Sequence, residues 1–120
     1  MILLEFIIQI NLKSIIIPNS IDNINDSTFD SCSSLTSVII KGNVTNIGGS
    51  AFYNCTSLTS VLFNGNVTTI GNSAFFNCRF ENINLPNSLI SIGTGVFQSC
   101  INLKIINIPQ NIKTINDSTF

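Results

Sequence analysis

The feature that most constrains this chain is a repeat of about 23 residues. Phenylalanine recurs with spacings of 23, 23, 23, 22 and 23 residues, at Phe6, Phe29, Phe52, Phe75, Phe97 and Phe120. Cysteines lie three residues after four of these rings, at Cys32, Cys55, Cys78 and Cys100. The step of 22 comes from one residue deleted between Cys78 and Phe80. A unit this short cannot bury its apolar face alone, so successive units are predicted to stack.

The repeat organises the whole sequence. Residues 10–29 and 101–120 are identical at 14 of 20 positions, which indicates a tandem array. We predict one array over residues 1–120, of about five units, which starts and ends inside a unit and is a fragment of a longer array. Uncapped ends of a solenoid expose apolar rungs and strand edges, so they predict end-to-end self-association.

The first ten residues, MILLEFIIQI, are apolar, but no Lys or Arg precedes them and no small-residue cleavage site follows. We therefore assign them to the repeat, with Phe6 in register and Gln9 at the cysteine position, rather than to a signal peptide. A membrane-spanning helix needs roughly 20 predominantly apolar residues. The sequence has no such run, so no membrane insertion is predicted for this segment.

Each unit has the same internal pattern. A β-branched stretch such as residues 35–40 predicts a strand, and a turn with Gly or Pro follows it. An apolar pair follows this turn and leads into a segment of only a few residues. Because that segment is too short for a long helix, one helical or 3₁₀ turn is predicted there. In the second unit the inward positions are Leu35, Val38, Ile40, Val44, Ile47, Ala51, Phe52 and Cys55. Stacking would pair the strands in parallel, about 4.8 Å apart, in a five-rung sheet.

The segment CTSLTSVLFNGNVTTIGNSAFFNC (55–78) resembles the BspA-like class of leucine-rich repeats. The likeness covers residues 10–120, although INDSTF replaces the usual I-G-x-x-A-F at residues 24–29 and 115–120. It implies an α/β repeat fold: a leucine-rich-repeat solenoid with a parallel β-sheet on the concave face and short helical or 3₁₀ turns opposite. It also implies a cell-surface or secreted protein that uses this face for adhesion or for contact with host or other cells.

Strand alternation predicts which side chains point out of the concave face. One column runs from apolar to amide side chains, and a Ser/Asn column lies beside it. Together they form the predicted contact surface for a protein or glycan partner: Ser14, Ile16, Ser37, Ile39, Ser60, Leu62, Asn82, Asn84, Ile105 and Asn107. The alternative is that these β-branched residues only reflect strand preference.

Composition limits the other functions. The chain has no His and only 9% charged residues, and no Ser or Cys has a His or a well-placed Lys beside it. Asp22, Asp26 and Asp30 lie four apart on a turn-rich segment, which does not match a calcium loop. A net charge of −1 gives no field to attract nucleic acid. We therefore predict a protein without catalytic residues, cofactor or metal site.

The sequence leaves alternatives open both for the state of the cysteines and for the function of the chain. Without a close C-x-x-C pair, we interpret the cysteines as a ladder of buried free thiols rather than as metal ligands or disulfides. Reduced thiols and the missing signal peptide favour a second hypothesis for the function, an intracellular (cytoplasmic) protein–protein interaction scaffold. The third hypothesis is a truncated structural remnant.

Overall fold

A computed structural model describes residues 11–120, and short parallel strands joined by turns dominate it. The predicted repeat positions of Phe6 and Gln9 lie outside the described residues. The strands are β1 (Ser14–Ile17), β2 (Asn23–Ile24), β3 (Ser37–Ile40), β4 (Asn46–Ile47), β5 (Ser60–Phe63), β6 (Thr69–Ile70), β7 (Asn82–Ile83), β8 (Ser91–Ile92) and β9 (Ile105–Ile106).

These strands form three parallel ladders. The order is β1-β3-β5 in the first, β2-β4-β6-β8 in the second and β7-β9 in the third. Equivalent residues of successive units pair with each other, as in Ser14↔Ser37↔Ser60. Thr69 pairs with Ser91, which lies 22 residues later, so equivalent residues remain paired in the second ladder across the shorter unit. The predicted parallel solenoid of leucine-rich-repeat type is confirmed.

The core runs through the middle of the stack. All eight inward positions predicted for the second unit are buried, none exposing more than 1% of its surface. Consecutive repeat phenylalanines stack face to face, with ring centroids 5.3 Å apart for Phe29–Phe52 and Phe52–Phe75 and 5.9 Å apart for Phe75–Phe97. Phe80 fills the slot that Leu58 has one unit earlier and is fully buried, as the deletion before it predicts.

The side opposite β1, β3 and β5 differs from the prediction. Residues 49–54 form consecutive turns, so the helical or 3₁₀ turn expected there was wrong. A 3₁₀ helix bonds every N–H to the carbonyl three residues back. Here Phe52 donates instead to the carbonyl of Ala74 in the next unit (2.8 Å), whereas Tyr53 donates three residues back to Ser50 (3.1 Å).

Left-handed backbone angles cause this alternation. Ser50 and Asn54 have φ values of 56° and 57°, which right-handed helical turns do not allow. Ser50 and Asn54 themselves donate to the next rung (2.8 and 2.9 Å), whereas the amide after each of them donates three residues back within its own unit. The same pair of positions has positive φ in the other units, at Ser27 and Ser31, Ser73 and Asn77, and Gly95 and Ser99.

The predicted five-rung sheet is also interrupted. Among the described residues, no backbone pairing joins β5 to β7, so the first ladder ends after three strands. In the earlier rungs, Lys41 donates its N–H to the Ile17 carbonyl and Asn64 donates to Ile40 (3.0 and 2.8 Å). The equivalent residue of the next unit is Pro86, which has no N–H to offer the Phe63 carbonyl. The one-residue deletion upstream and this proline together explain the break.

Candidate binding surface on the strand face

The side chains that point outward from β1, β3, β5, β7 and β9 form what we call the front face, the face predicted to be concave. Ile16 and Leu62 expose 58% and 50% of their surface there, although both are large apolar residues. Ile39, between them, is half-buried. Val38 and Ile40, the strand residues on either side of Ile39, are buried in the core. The predicted alternation of inward and outward positions therefore describes these strands correctly.

Strand register aligns the first six predicted residues into two straight columns. Ile16 pairs with Ile39, and Ile39 pairs with Leu62. The serines two positions earlier form the parallel column Ser14–Ser37–Ser60. Because adjacent rungs of a sheet are about 4.8 Å apart, each column presents a regular row of like side chains. We call these six residues the Ile/Ser columns; none of them is charged.

The other four predicted residues belong to the third ladder, beyond the break. Asn82 and Asn84 are exposed, and Ile105 exposes 66% of its surface. Asn107 is half-buried and has a structural role. Its side-chain amide donates to the Leu85 carbonyl (3.0 Å) and accepts from the Leu85 N–H (2.7 Å).

Asn107 compensates for a second proline. Pro109 lies one unit after Pro86 and likewise has no N–H to donate to the preceding rung. The Asn107 side chain makes that hydrogen bond to Leu85 instead. Its amide is therefore committed to the fold, and nine of the ten predicted residues remain as candidate contacts.

A cleft that sequence reasoning missed lies between the segments that lead into β5, β7 and β9, beside the one-residue deletion. It has a volume of about 610 Å³. Its walls carry the hydroxyls of Thr56, Ser57 and Thr59, the amides of Asn82 and Asn102, and the charged side chains of Arg79 and Glu81. A groove of about 360 Å³, lined in part by Ser60, Asn82 and Asn84, continues it onto the front face. The interrupted repeat spacing was the signal that could have located it.

The four cysteines form the predicted ladder of buried free thiols, which is confirmed. Each thiol from the second onward donates to the carbonyl of a repeat phenylalanine: Cys55 to Phe29, Cys78 to Phe52 and Cys100 to Phe75, at 3.1, 3.3 and 3.1 Å. Burial raises the pKa of the Cys78 and Cys100 thiols, because a thiolate is poorly solvated in the core. These thiols are packed as core residues.

Within residues 11–120, no three His, Cys, Asp or Glu side chains are grouped as a metal ion would require. No helix in that same part of the chain combines the length and apolar character needed to cross a membrane.

Solved structures of bacterial leucine-rich-repeat proteins are similar to this chain. A Treponema pallidum leucine-rich-repeat protein has 21% identity and a TM-score of 0.57, covering 81% of this chain and 70% of that one. The pneumococcal vaccine antigen PcpA has 25% identity and a TM-score of 0.61, over 82% and 31%. A Eubacterium ventriosum leucine-rich-repeat protein has 26% identity and a TM-score of 0.57, over 82% and 32%. This chain thus spans about a third of the latter two. No match is found among curated protein sequences.

The family model agrees with these likenesses. A model described as the BspA type leucine rich repeat region matches residues 23–120 in six copies. The matched segment begins at β2 and contains every described strand except β1. On this match and the stacked architecture, the chain belongs to the BspA-type leucine-rich-repeat family.

Proposed function

We propose that this chain is a non-enzymatic module that binds a protein partner through its front face, in a cell-surface or secreted adhesion role. The observation that carries the proposal is the apolar column Ile16–Ile39–Leu62, exposed at Ile16 and Leu62 and half-buried at Ile39, which the ladder holds in register beside a serine column. Isolated exposed apolar residues are normal, but an aligned row of them on a sheet favours a contact surface.

The chemistry of the Ile/Ser columns defines the kind of contact. They offer apolar surface and hydroxyl groups without charge, so binding there depends on shape, apolar burial and neutral hydrogen bonds. The short hydrogen-bonded strands keep the columns rigid, which lowers the entropy cost of association. The surface location is supported by the family, whose members are often surface-associated, and by the likeness to a pneumococcal vaccine antigen.

One observation favours a second candidate, an intracellular scaffold. All four cysteines are free, although secreted proteins often use disulfides. Antibody labelling of intact and permeabilised source cells separates the two locations. Labelling of intact cells supports the surface role, and labelling only after permeabilisation supports the scaffold.

The test of the binding surface is the double variant Ile39→Asp with Leu62→Asp. Two carboxylates in the apolar column should abolish binding to whichever partner is found in a panel of purified extracellular-matrix proteins, as measured by surface plasmon resonance. The matched control is Ile90→Asp with Ile101→Asp, two exposed isoleucines outside the front face. The control should bind as the unmodified chain does, and circular dichroism should be unchanged in both variants. Equal binding by both double variants would refute the proposed surface.

A further inference from the structure

The cleft beside the one-residue deletion, between the segments that lead into β5, β7 and β9, holds two charged side chains in a chain that has few. Charged residues make up 9% of the sequence, and Arg79 is its single arginine. Glu81 is the one glutamate among the described residues, and both side chains line the cleft. The two opposite charges thus occur where the repeat spacing is interrupted and the front-face ladder opens.

Neither charge is used by the fold. Across residues 11–120, neither the Arg79 guanidinium nor the Glu81 carboxylate has an ion-pair or hydrogen-bond partner for its side chain. Both residues are exposed, and their backbones alone join neighbouring rungs: the Arg79 N–H donates to Leu58, and the Glu81 carbonyl accepts from Lys104. Both charges therefore remain available to a ligand.

We propose that this cleft binds a polypeptide segment of the partner that carries an acidic and a basic side chain close together. Arg79 receives the carboxylate, which its planar guanidinium can contact through two parallel hydrogen bonds. Glu81 receives the ammonium or guanidinium. The amides of Asn82 and Asn102 donate to and accept from the partner backbone, whereas the Thr59 hydroxyl, which donates to the Thr36 carbonyl (3.3 Å), accepts from it.

The presence of both signs in one cleft selects the class of ligand. An acidic glycan, a phosphate backbone or an anionic lipid surface would satisfy Arg79 but would be repelled by Glu81. A polypeptide can supply both charges at once. Asn82 lines both the cleft and the groove that leads onto the front face, so one partner can fill the cleft and the Ile/Ser columns together.

This inference deepens the proposed function and rests on the front face being the binding surface. Its test uses the probe N-acetyl-Glu-Gly-Lys-amide, titrated to millimolar concentration into the isotope-labelled chain and followed by NMR. The amides of Thr59, Glu81 and Asn82 should shift, and the shifts should weaken as salt is added. The neutral analogue N-acetyl-Gln-Gly-norleucine-amide should leave them unchanged.

Variants then assign the charges. Arg79→Gln and Glu81→Gln should each weaken peptide affinity by about two- to fivefold, the range for one solvent-exposed ion pair. Lys13→Gln, which removes a charge from an exposed residue of the first rung, should not change it. Absence of shifts, equal shifts with the neutral peptide, or unchanged affinity in Arg79→Gln would overturn the cleft assignment. These outcomes leave the Ile39/Leu62 test untouched, so the two proposals fail separately.

Discussion

At the scale of single residues, close approach between rungs explains why some glycines are required and others are not. A Cβ atom on Gly71 would lie 2.6 Å from the Gly49 nitrogen and 2.8 Å from the Gly48 carbonyl carbon, both backbone atoms that cannot move aside. A Cβ atom on Gly49 would meet nothing closer than the Asn72 carbonyl oxygen, at 3.5 Å. The two glycines lie at similar turns in neighbouring rungs but differ in available space.

Gly71→Ala should therefore lower the free energy of unfolding by about 1–3 kcal/mol, because the new methyl group forces two rungs apart. Gly49→Ala is the matched control and should change it by less than about 1 kcal/mol. Urea denaturation followed by circular dichroism measures both. If Gly71→Ala were as stable as Gly49→Ala, the close packing at this position would be contradicted.

The buried thiols lead to a prediction about pH. Burial raises the pKa of Cys78 and Cys100 in the folded chain, whereas an unfolded thiol has a pKa of about 8.5. Above that pH the unfolded state binds fewer protons than the folded state, so stability should fall as the pH rises. Urea midpoints from neutral to alkaline pH test this. Cys78→Ala, although less stable because of the cavity, should show a flatter dependence; an equal slope would argue against the thiols as the cause.

At the scale of the elements, backbone donors decide where the front-face ladder continues. Lys41 and Asn64 each donate to the rung before, whereas Pro86 cannot, and the ladder stops at β5. At Pro109 the side chain of Asn107 takes over the missing hydrogen bond, and β7 and β9 remain paired. Two prolines at equivalent places thus have opposite outcomes: the Asn107 side chain replaces the donor missing at Pro109, whereas Asn84, at the same spacing before Pro86, makes no such bond among the described residues.

Pro86→Lys restores a donor opposite Phe63 and should extend the pairing between β5 and β7. The expected result is slow hydrogen exchange at the new residue-86 amide, measured by NMR. In the control Pro109→Lys, the Asn107 side chain already bonds to the Leu85 carbonyl, so the new amide should exchange faster. Fast exchange at residue 86 would indicate that the deletion alone separates the strands.

These elements also mark how far the sequence could predict the fold. The spacing of Phe and Cys was enough to place the buried positions, because packing between repeats depends on side-chain size and period. The turns of residues 49–54 were not predictable in the same way, since serine at a left-handed angle has no strong sequence signature. The role of Asn107 needed coordinates, because only the fold shows that its amide reaches Leu85. The cleft could have been anticipated, since the deletion beside it is visible in the sequence.

At the scale of the whole molecule, stability is distributed along a line of neighbouring units. Phe75 lies at the centre of that line, stacked between Phe52 and Phe97 and in edge contact with Phe80 at 5.6 Å between centroids. Each ring contacts only the rings of adjacent rungs. Coupling in such an array passes from unit to unit, so one weak rung can separate the two halves.

Phe75→Ala should cost about 3–5 kcal/mol and split thermal unfolding into two steps, one for each side of the cavity. Calorimetry detects the split. Phe76→Ala is the control, because Phe76 is half-buried and stacks outside the core column, on Tyr53. It should unfold in the same number of steps as the unmodified chain. A single transition in Phe75→Ala would mean that cooperativity extends beyond nearest neighbours.

The hydrogen bonds between rungs have a mechanical consequence. They run along the stacking direction and join residues at equivalent or adjacent positions of neighbouring units, and no disulfide ties one described rung to another. A pulling force on the two ends would load the outermost rung first and peel the units off one after another, rather than shear the whole sheet. Each released unit adds roughly 75 Å of extended chain in place of a rung about 4.8 Å thick. Under tension the array would therefore act as an extensible tether that lengthens in small, repeated steps, each of which dissipates mechanical energy.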